Sequence, residues 1–233
     1  MNSPSQTASA SAPITASPRD YSPAELTSDK IVHLAALVLA LGAVPVLITM
    51  TAVWRGDAAG VVGVTIYGVT LIAMLTASLL YNHVGRPHLS DLFRRIDMSA
   101  IHLKIAGTYT PFALLTGTSW GLLTAIWGAA AGAAAVTLIN RRLPTGVAVA
   151  MCLASGWAVV IGGRDLMGAL PLSVIVLMVV GGVLYSAGTP FLLASRLRFH
   201  NTIWHSMVVA ASIVFFVAVF LCAAMPGVVV AAN

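Results

Sequence analysis

The sequence predicts an all-α, polytopic membrane protein with seven transmembrane helices. Hydrophobic residues make up 59% of the chain and charged residues 8%, which leaves too little polar surface for a water-soluble globule. Seven apolar stretches approach or reach the ~20 residues that a helix needs to cross the ~30 Å hydrocarbon layer. All Lys and Arg residues except Lys104 lie outside these stretches. The predicted spans lie at about 31–53, 60–82, 99–118, 120–139, 145–161, 172–193 and 203–225.

The chain before the first span is rich in Ser, Ala, Thr and Pro and has no apolar periodicity. Such a composition is typical of disorder. We therefore expect a disordered cytoplasmic tail over residues 1–28 and one membrane domain over residues 29–233. Ser28, Asp29 and Lys30 are expected to cap the first helix. No cleavable signal peptide is expected, because the first apolar run starts too late and is too long.

Three of the predicted spans contain an internal proline: Pro45 in the first, Pro111 in the third and Pro190 in the sixth. The proline ring removes an amide hydrogen and crowds the carbonyl four residues back, so each of these helices is expected to bend. The two cysteines, Cys152 and Cys222, fall inside spans, where a thiol packs as a small apolar group. A disulfide is not expected.

The breaks between spans differ in charge, and this difference predicts the orientation. Alternate breaks hold the basic clusters, while the others hold single arginines close to an aspartate, Arg55 near Asp57 and Arg164 near Asp165. Basic residues collect on the cytoplasmic side, so the N-terminus is predicted to be cytoplasmic and the C-terminus outside. The clusters are Arg86, Arg94 and Arg95 after the second span, Arg141 and Arg142 after the fourth, and Arg196 and Arg198 after the sixth.

The net charge of +5 is explained by this topology, and no nucleic-acid partner is needed to account for it. The glycine pairs lie within or beside apolar spans, so they lack the strand and helix context of a nucleotide-binding loop. The expected partners are membrane lipids, and the expected location is a cell membrane. The oligomeric state cannot be deduced from the sequence.

Polar residues collect near the predicted cytoplasmic ends of four spans. Ionisable groups at membrane depth are costly and usually face the interior of a helix bundle. Ser78 and Asn82 are four residues apart, as are Asn201 and His205, and residues with this spacing share a helix face. We therefore predict a polar cavity near the cytoplasmic face. The polar residues are His33 in span one, Ser78, Asn82 and His83 in span two, Asp97 and His102 in span three, and His200, Asn201 and His205 in span seven.

Lys104 follows Asp97 by seven residues and so lies nearly on the same helical face. Two interpretations remain open. The ammonium could extend to the cytoplasmic interface while the stem lies along the helix. Alternatively it could face the cavity and neutralise Asp97 in place of a metal ion.

Five short motifs of the chain resemble the bacterial haemolysin III proteins, which belong with the progestin and adipoQ receptor (PAQR) family. The resemblance runs from about Asp29 to Phe216, and Asp29 and His33 resemble the first motif of that family in weakened form. It implies a seven-helix fold with a cytoplasmic N-terminus. The motifs are Ser78-Leu-Leu-Tyr-Asn82-His83, Arg95-Ile-Asp97, Ile105-Ala-Gly107-Thr-Tyr109-Thr-Pro111, Gly181-Gly-Val-Leu-Tyr185 and Asn201-Thr-Ile-Trp204-His205.

The resemblance also implies a zinc site built from Ser-xxx-His, Asp and His-xxx-His. Ser78, Asp97 and His205 match these positions, but Asn82 and Asn201 stand where the family has histidines. A neutral amide is a poor zinc ligand. Neighbouring histidines could replace them if the helix ends unwind, because one residue along a helix is a rotation of about 100°. The candidate metal ligands are therefore His83, Asp97, His200 and His205, with Asn82, Asn201 and Lys104 in the cavity.

Two functions follow from these residues and from the resemblance. The first is a non-catalytic sensor or regulator of membrane lipid and energy homeostasis, whose cavity binds a lipid headgroup or stabilises the bundle. The alternative is a zinc-dependent hydrolase of a lipid amide, with Ser78 and Asp97 as candidate catalytic residues. An ion or proton pathway would need polar groups that continue toward the outer face, and spans four and five contain almost none.

Overall fold

A computed structural model of the chain describes residues 21–84 and 87–225, and this part of the chain is helical, with no β-strand. Residues 1–20 of the predicted tail therefore lie outside the described residues. The helices are α1 (Pro23–Arg55), α2 (Ala58–His83), α3 (Ser90–Thr116), α4 (Trp120–Ile139), α5 (Thr145–Gly156), α6 (Ala158–Gly162), α7 (Arg164–Ala169), α8 (Leu172–Leu193) and α9 (His200–Ala224), with a 3₁₀ turn at Pro87–Leu89 before α3.

Six segments of the described chain are long and apolar enough to cross a membrane: α1, α2, α4, α8, α9 and the pair α5–α6 taken together over Thr145–Gly162. They correspond to six of the seven predicted spans. The predicted third span falls on α3, whose 27 residues do not reach the same apolar content. Most of the second half of α3 is buried, including Lys104, Ala106 and Phe112. Contacts with protein on several sides therefore make a strongly apolar surface unnecessary on this helix.

The helix α3 runs antiparallel to α2 at short distance. A Cβ atom placed on Gly107 would lie 2.0 Å from Thr70 Oγ1, and one placed on Gly63 would lie 3.0 Å from the Pro111 Cα. On the other side of α2, a Cβ on Gly68 would lie 2.2 Å from Val44 Cγ1 of α1. Glycine at these positions lets the three helices approach closely, as is typical of helix packing in membranes.

The first helix begins earlier than predicted. Ser22 is its N-cap, and the Ser22 hydroxyl and the Glu25 side chain form a capping box over the first turn. The predicted cap at Ser28–Asp29–Lys30 is wrong, because these residues lie in the second turn, where the Ser28 hydroxyl bonds the Glu25 carbonyl. Residues 23–28 of the predicted tail are therefore helical.

The fifth predicted span is interrupted. The helix α5 ends at Gly156, and the short α6 begins at Ala158 after Trp157. The Tyr109 hydroxyl of α3 donates to the Gly156 carbonyl at 2.7 Å and accepts from the Val159 amide at 3.1 Å. Tyr109 therefore pairs backbone groups that the break would leave without partners.

The three internal prolines lie within continuous helices, Pro45 in α1, Pro111 in α3 and Pro190 in α8. Both cysteines are free thiols, as expected. In the first turns of α3, Arg94 donates to the carbonyl of Arg141, just after α4, and Arg95 donates to the carbonyl of Leu138 in the last turn of α4. The basic clusters that follow the second and fourth spans thus meet at one end of the bundle.

Candidate functional site

Four ionisable side chains meet where α1, α2 and α9 come together at the same end of the bundle. The Asp29 carboxylate lies at their centre. Its Oδ1 is 2.7 Å from His205 Nδ1, and its Oδ2 is 3.3 Å from His83 Nε2 and 3.6 Å from His33 Nδ1. We call Asp29, His33, His83 and His205 the histidine cluster.

Each member reaches the cluster through simple helix geometry. Asp29 and His33 are four residues apart and so share one face of α1. His83 is the last residue of α2, and His205 lies in the second turn of α9. The residues Asp29, His33 and His205 are 4%, 3% and 9% exposed. A carboxylate this deeply buried needs donors or cations around it, and the three imidazoles supply them.

Ser78 links the cluster to α3. Its hydroxyl lies 3.1 Å from His33 Nε2, on the side of the ring that faces away from Asp29. Asp97 of α3 interacts with both Ser78 and His205. Ser78, Asp97 and His205, the three residues that match the metal site implied by the resemblance, are thus brought together beside His33.

These polar groups form one end of a cavity of about 170 Å³ inside the bundle. His33, Ser78, Asp97 and His205 line this end, and most of the remaining wall is apolar. The apolar part extends between α3, α5, α8 and α9, where its lining includes Phe112, Leu153, Trp157, Met178, Val208 and Phe215. The cavity therefore combines a polar end with a long apolar body.

Lys104 lines the same cavity but lies far from the cluster. Its ammonium donates to the Tyr185 hydroxyl, 4.4 Å from the centre of the Tyr185 ring, and it lies 5.2 Å from the centre of the Phe215 ring. Phe215 is ten residues beyond His205 on α9, about 15 Å along the helix. Lys104 is 3% exposed, so it does not extend to the interface, and it forms no ion pair with Asp97 within the described residues. Lys104 and Asp97 lie on nearly the same face of α3, but their side chains form no ion pair in the described part of the chain.

The two asparagines line a second, smaller cavity. Asn82 and Asn201 both line it, together with Asp29, Glu25 and Thr202. The Asn82 amide donates to the Ser78 carbonyl at 2.9 Å. Of the residues predicted to line one cavity, Ser78, Asp97 and His205 share the large one, and Asn82 does not.

His200 does not reach the histidine cluster. Its Nε2 lies 2.9 Å from the Tyr21 hydroxyl and its Nδ1 lies 3.2 Å from the Phe191 carbonyl, at the junction of α8 and α9. His83, in contrast, reaches the cluster from an intact helix. The rotation of about 100° that separates it from Asn82 turns its side chain toward α1, so no unwinding is needed.

The sequence predicted a helix cap at Asp29 and placed His33 among the polar residues near the cytoplasmic ends, but it indicated neither of them as a candidate metal ligand. The early start of α1 explains the error, because it adds more than one turn before Asp29 and carries these residues into the bundle. The spacing Asp-xxx-His, which puts both side chains on one helix face, was the available signal.

Comparison with known proteins identifies the family. The family described as "Haemolysin-III related" matches residues 25–216. The chain belongs to the haemolysin III family. It is 33% identical over 206 residues to "Hemolysin-3 homolog" of Bacillus subtilis (strain 168), which covers 87% of this chain and 96% of that protein. It is also 33% identical over 195 residues to "Hemolysin-3" of Bacillus cereus, with 82% and 89% covered. Its apolar helices make this haemolysin III protein a multi-pass membrane protein.

The zinc site that the family resemblance implies does not fit the residues at its expected positions. The Asn82 amide nitrogen is engaged with a backbone carbonyl, and Asn201 faces the second cavity. Among the expected donors this leaves Ser78, Asp97 and His205, with one imidazole where zinc sites usually have two or more nitrogen or sulfur ligands. Asp29, His33 and His205, however, each offer one ligand atom, and these atoms lie within 4.8 Å of one another.

Proposed function

We propose that this haemolysin III protein binds a membrane lipid in its large cavity and thereby senses or regulates the lipid composition and energy state of the membrane. The observation that carries the proposal is the shape and chemistry of the cavity. An apolar body inside the bundle ends in a cluster of polar side chains, and an amphipathic lipid has the same division between chain and headgroup.

The positive charge of Lys104 in the apolar body favours a negatively charged lipid. Lys104 is surrounded by Tyr185, Phe215 and other cavity residues, and a buried ammonium attracts an anion more strongly than an exposed one does. The polar end contains the carboxylate of Asp97, which repels an anion. We therefore propose an acidic lipid whose negatively charged group lies beside Lys104, away from the Asp97 carboxylate, and whose acyl chain occupies the rest of the apolar body.

We further propose that α3 crosses the membrane with the six apolar segments, with the N-terminus in the cytoplasm of a bacterial cell. Contacts between α2 and α3 pair residue 60 with 115, 63 with 111 and 70 with 107, and Ser78 interacts with Asp97. This antiparallel pairing extends over about 27 Å, close to the thickness of the hydrocarbon layer. Reporter fusions after Arg95, Arg142 and Arg198 should be cytoplasmic, and fusions after Arg55 and Arg164 should not. The reversed pattern would contradict the proposed orientation.

Lipid binding is tested by filling the cavity. Ala36 lines it and is buried, whereas its neighbour Ala35 is exposed on the same turn of α1. The variants Ala36→Leu and Ala35→Leu therefore add the same volume in opposite environments. Each protein is purified in detergent, and the lipids it retains are identified by native mass spectrometry. Retention should fall in Ala36→Leu and persist in Ala35→Leu, and equal retention in both would refute binding in the cavity.

Lys104→Met tests the charge preference, because methionine keeps most of the volume and removes the ammonium. Retained acidic lipids should decrease relative to neutral ones. An unchanged ratio would show that Lys104 does not contact the ligand.

Hydrolysis of a lipid amide is a second candidate function. The observation that favours it is that Ser78 and Asp97 lie where the apolar body of the cavity ends, so a bound chain would bring its headgroup linkage to these two residues. Fatty acid release from a fluorescent lipid amide should be lost in Ser78→Ala and Asp97→Asn and kept in Thr108→Ala, which changes another cavity residue. Absence of release by the wild-type protein in lipid bilayers would leave the binding function alone.

A further inference from the structure

The surroundings of Lys104 contain more hydrogen-bond donors than acceptors. The ammonium has three N–H donors, and it gives one of them to the Tyr185 hydroxyl. That hydroxyl lies 2.8 Å from the hydroxyl of Ser212, and only one of the two can donate in this contact. Whichever of them donates, the O–H of the other has no acceptor in the described part of the chain. The group that completes this region is therefore an acceptor.

Tyr67 of α2 adds a further donor. The residue is 0% exposed, and its hydroxyl has no hydrogen-bond partner among the described residues. It is close enough to Tyr185 for the two hydroxyls to interact electrostatically. A buried hydroxyl without a partner is costly, so Tyr67 is a candidate donor to a group bound beside Tyr185.

The positive charge of Lys104 also lacks a partner within the described residues. Lys104 is 3% exposed, and its ammonium contacts the Tyr185 hydroxyl and the rings of Tyr185 and Phe215. Gly181 lets the Phe215 ring lie against α8, since a Cβ atom on Gly181 would lie 2.5 Å from the Phe215 Cε2. Aromatic faces attract a cation but carry no net charge. The buried ammonium therefore still favours an anion.

We propose that four side chains from α2, α3, α8 and α9 bind one monovalent anion inside the bundle, namely Tyr67, Lys104, Tyr185 and Ser212. The charge of the anion balances that of the ammonium, and the free N–H and O–H groups donate to it. The site rests on the proposed function, because it assigns the residues that recognise the acidic group of the lipid. It shares no residue with the histidine cluster and lies about 10 Å from Asp97 along α3.

Two sources of such an anion share this chemistry. One is the carboxylate of a single-chain lipid, and the other is a free halide ion. Because aromatic rings enclose the ammonium of Lys104, an acidic lipid has to end its chain there. A carboxylate is such an end group, whereas a phosphodiester continues into a second substituent.

The test uses the full chain in detergent, freed of bound lipid, and measures its melting temperature, because a ligand that binds the folded state raises it. Palmitate is compared with hexadecanol, which has the same chain length and no charge. Sodium bromide is compared with sodium gluconate at equal ionic strength, because gluconate is too large and too polar for an enclosed site. We expect palmitate to raise the melting temperature more than hexadecanol, and bromide to raise it more than gluconate.

Variants assign these differences to the site, with affinities taken from the concentration dependence of the shift. Lys104→Met, which adds no polar group and is expected to fold, should weaken binding of palmitate and bromide about 100-fold or more. Tyr185→Phe should weaken it about 10-fold, and Ser212→Ala and Tyr67→Phe about 2–10-fold each. Thr189→Val is the control and should bind as the wild type does, because the Thr189 hydroxyl lines the same cavity but donates to the Ser186 carbonyl.

The two comparisons separate this site from lipid binding as such. A preference for palmitate that Lys104→Met removes identifies the lipid carboxylate as the anion. A bromide effect that Lys104→Met removes, with equal shifts by palmitate and hexadecanol, assigns the site to a free halide and contradicts the proposed acidic lipid. If neither chain compound raises the melting temperature, the proposed lipid binding fails and bromide alone decides the anion site. Absence of both preferences, or preferences that persist in Lys104→Met, would overturn the anion site and leave lipid binding standing.

Discussion

The histidine cluster and the surroundings of Lys104 are two buried polar regions of the same bundle, and they satisfy their charges in different ways. In the cluster, one carboxylate is surrounded by three imidazoles from three helices. Lys104 instead donates to a single hydroxyl, that of Tyr185, which in turn bonds Ser212 at 2.8 Å, and aromatic ring faces cover the rest. The cluster thus has an excess of donors for one carboxylate, whereas Lys104 has no carboxylate partner in the described part of the chain.

Because of this difference, substitutions in the two regions should change the stability of the fold by different amounts. A buried carboxylate without donors is strongly unfavourable, so the cluster stabilises the fold only while its members are together. A buried ammonium beside aromatic rings is held by weaker forces, and an apolar residue of similar size can replace it with little loss. The first region is therefore expected to matter for assembly of the bundle, and the second for the ligand that the cavity takes.

The largest effect is expected from Asp29→Ala. It removes the centre of the cluster and leaves buried imidazoles without their partner, so the free energy of unfolding should fall by about 3–5 kcal/mol. The measurement is unfolding by denaturant in mixed micelles. Asp91→Ala is the control, because Asp91 pairs with Arg94 and Arg95 at the surface and should cost about 0–1 kcal/mol. Equal losses in both would show that the cluster has no special role in stability.

A smaller effect is expected from Gly107→Ala, which disturbs the contact of α2 and α3 between the two regions. The new Cβ would lie 2.0 Å from Thr70 Oγ1, and overpacking of this kind costs about 1–3 kcal/mol. Thr70→Ala should recover part of the loss, because the next contact, with the Thr70 Cβ, is at 2.9 Å. Gly132→Ala, where no atom lies within 4 Å, should be neutral or slightly stabilising.

The smallest effect is expected at Lys104. The variant Lys104→Met should change the free energy of unfolding by less than about 1.5 kcal/mol, since it exchanges a buried polar group for an apolar one of similar volume. A double-mutant cycle then separates its partners. Lys104 should couple to Tyr185, tested with Tyr185→Phe, by about 0.5–3 kcal/mol, and its coupling to Asp97, tested with Asp97→Asn, should be below about 0.5 kcal/mol.

The opposite order, with strong coupling to Asp97, would restore the interpretation of Lys104 as a substitute for a metal ion. It would also remove the contrast between the two regions, because both would then be built around a carboxylate.

The sequence by itself determined the helical fold, the positions of six apolar spans and the collection of polar residues at one end. These properties follow from hydropathy and from the 3.6-residue helical period, which act along a single segment. Ser78 and Asn82, which were predicted to share a helix face, are in contact, since the Asn82 amide donates to the Ser78 carbonyl. The sequence also predicted that these residues line one cavity. Asn82 and Asn201 instead line a second cavity, together with Asp29.

Only the tertiary structure decided which helices contribute to the site. The rotation and axial position of a helix are set by its contacts with its neighbours, such as the approach of Val44 to Gly68 and of Thr70 to Gly107. These contacts align Asp29 and His33 of α1 with His83 and His205, and Tyr185 of α8 with Lys104. Such partners are separated by 50 to 176 positions along the chain, apart from Asp29 and His33 themselves. Periodicity within one helix carries no information about the angle at which another helix meets it, so the cluster could be recognised only once the helices were packed.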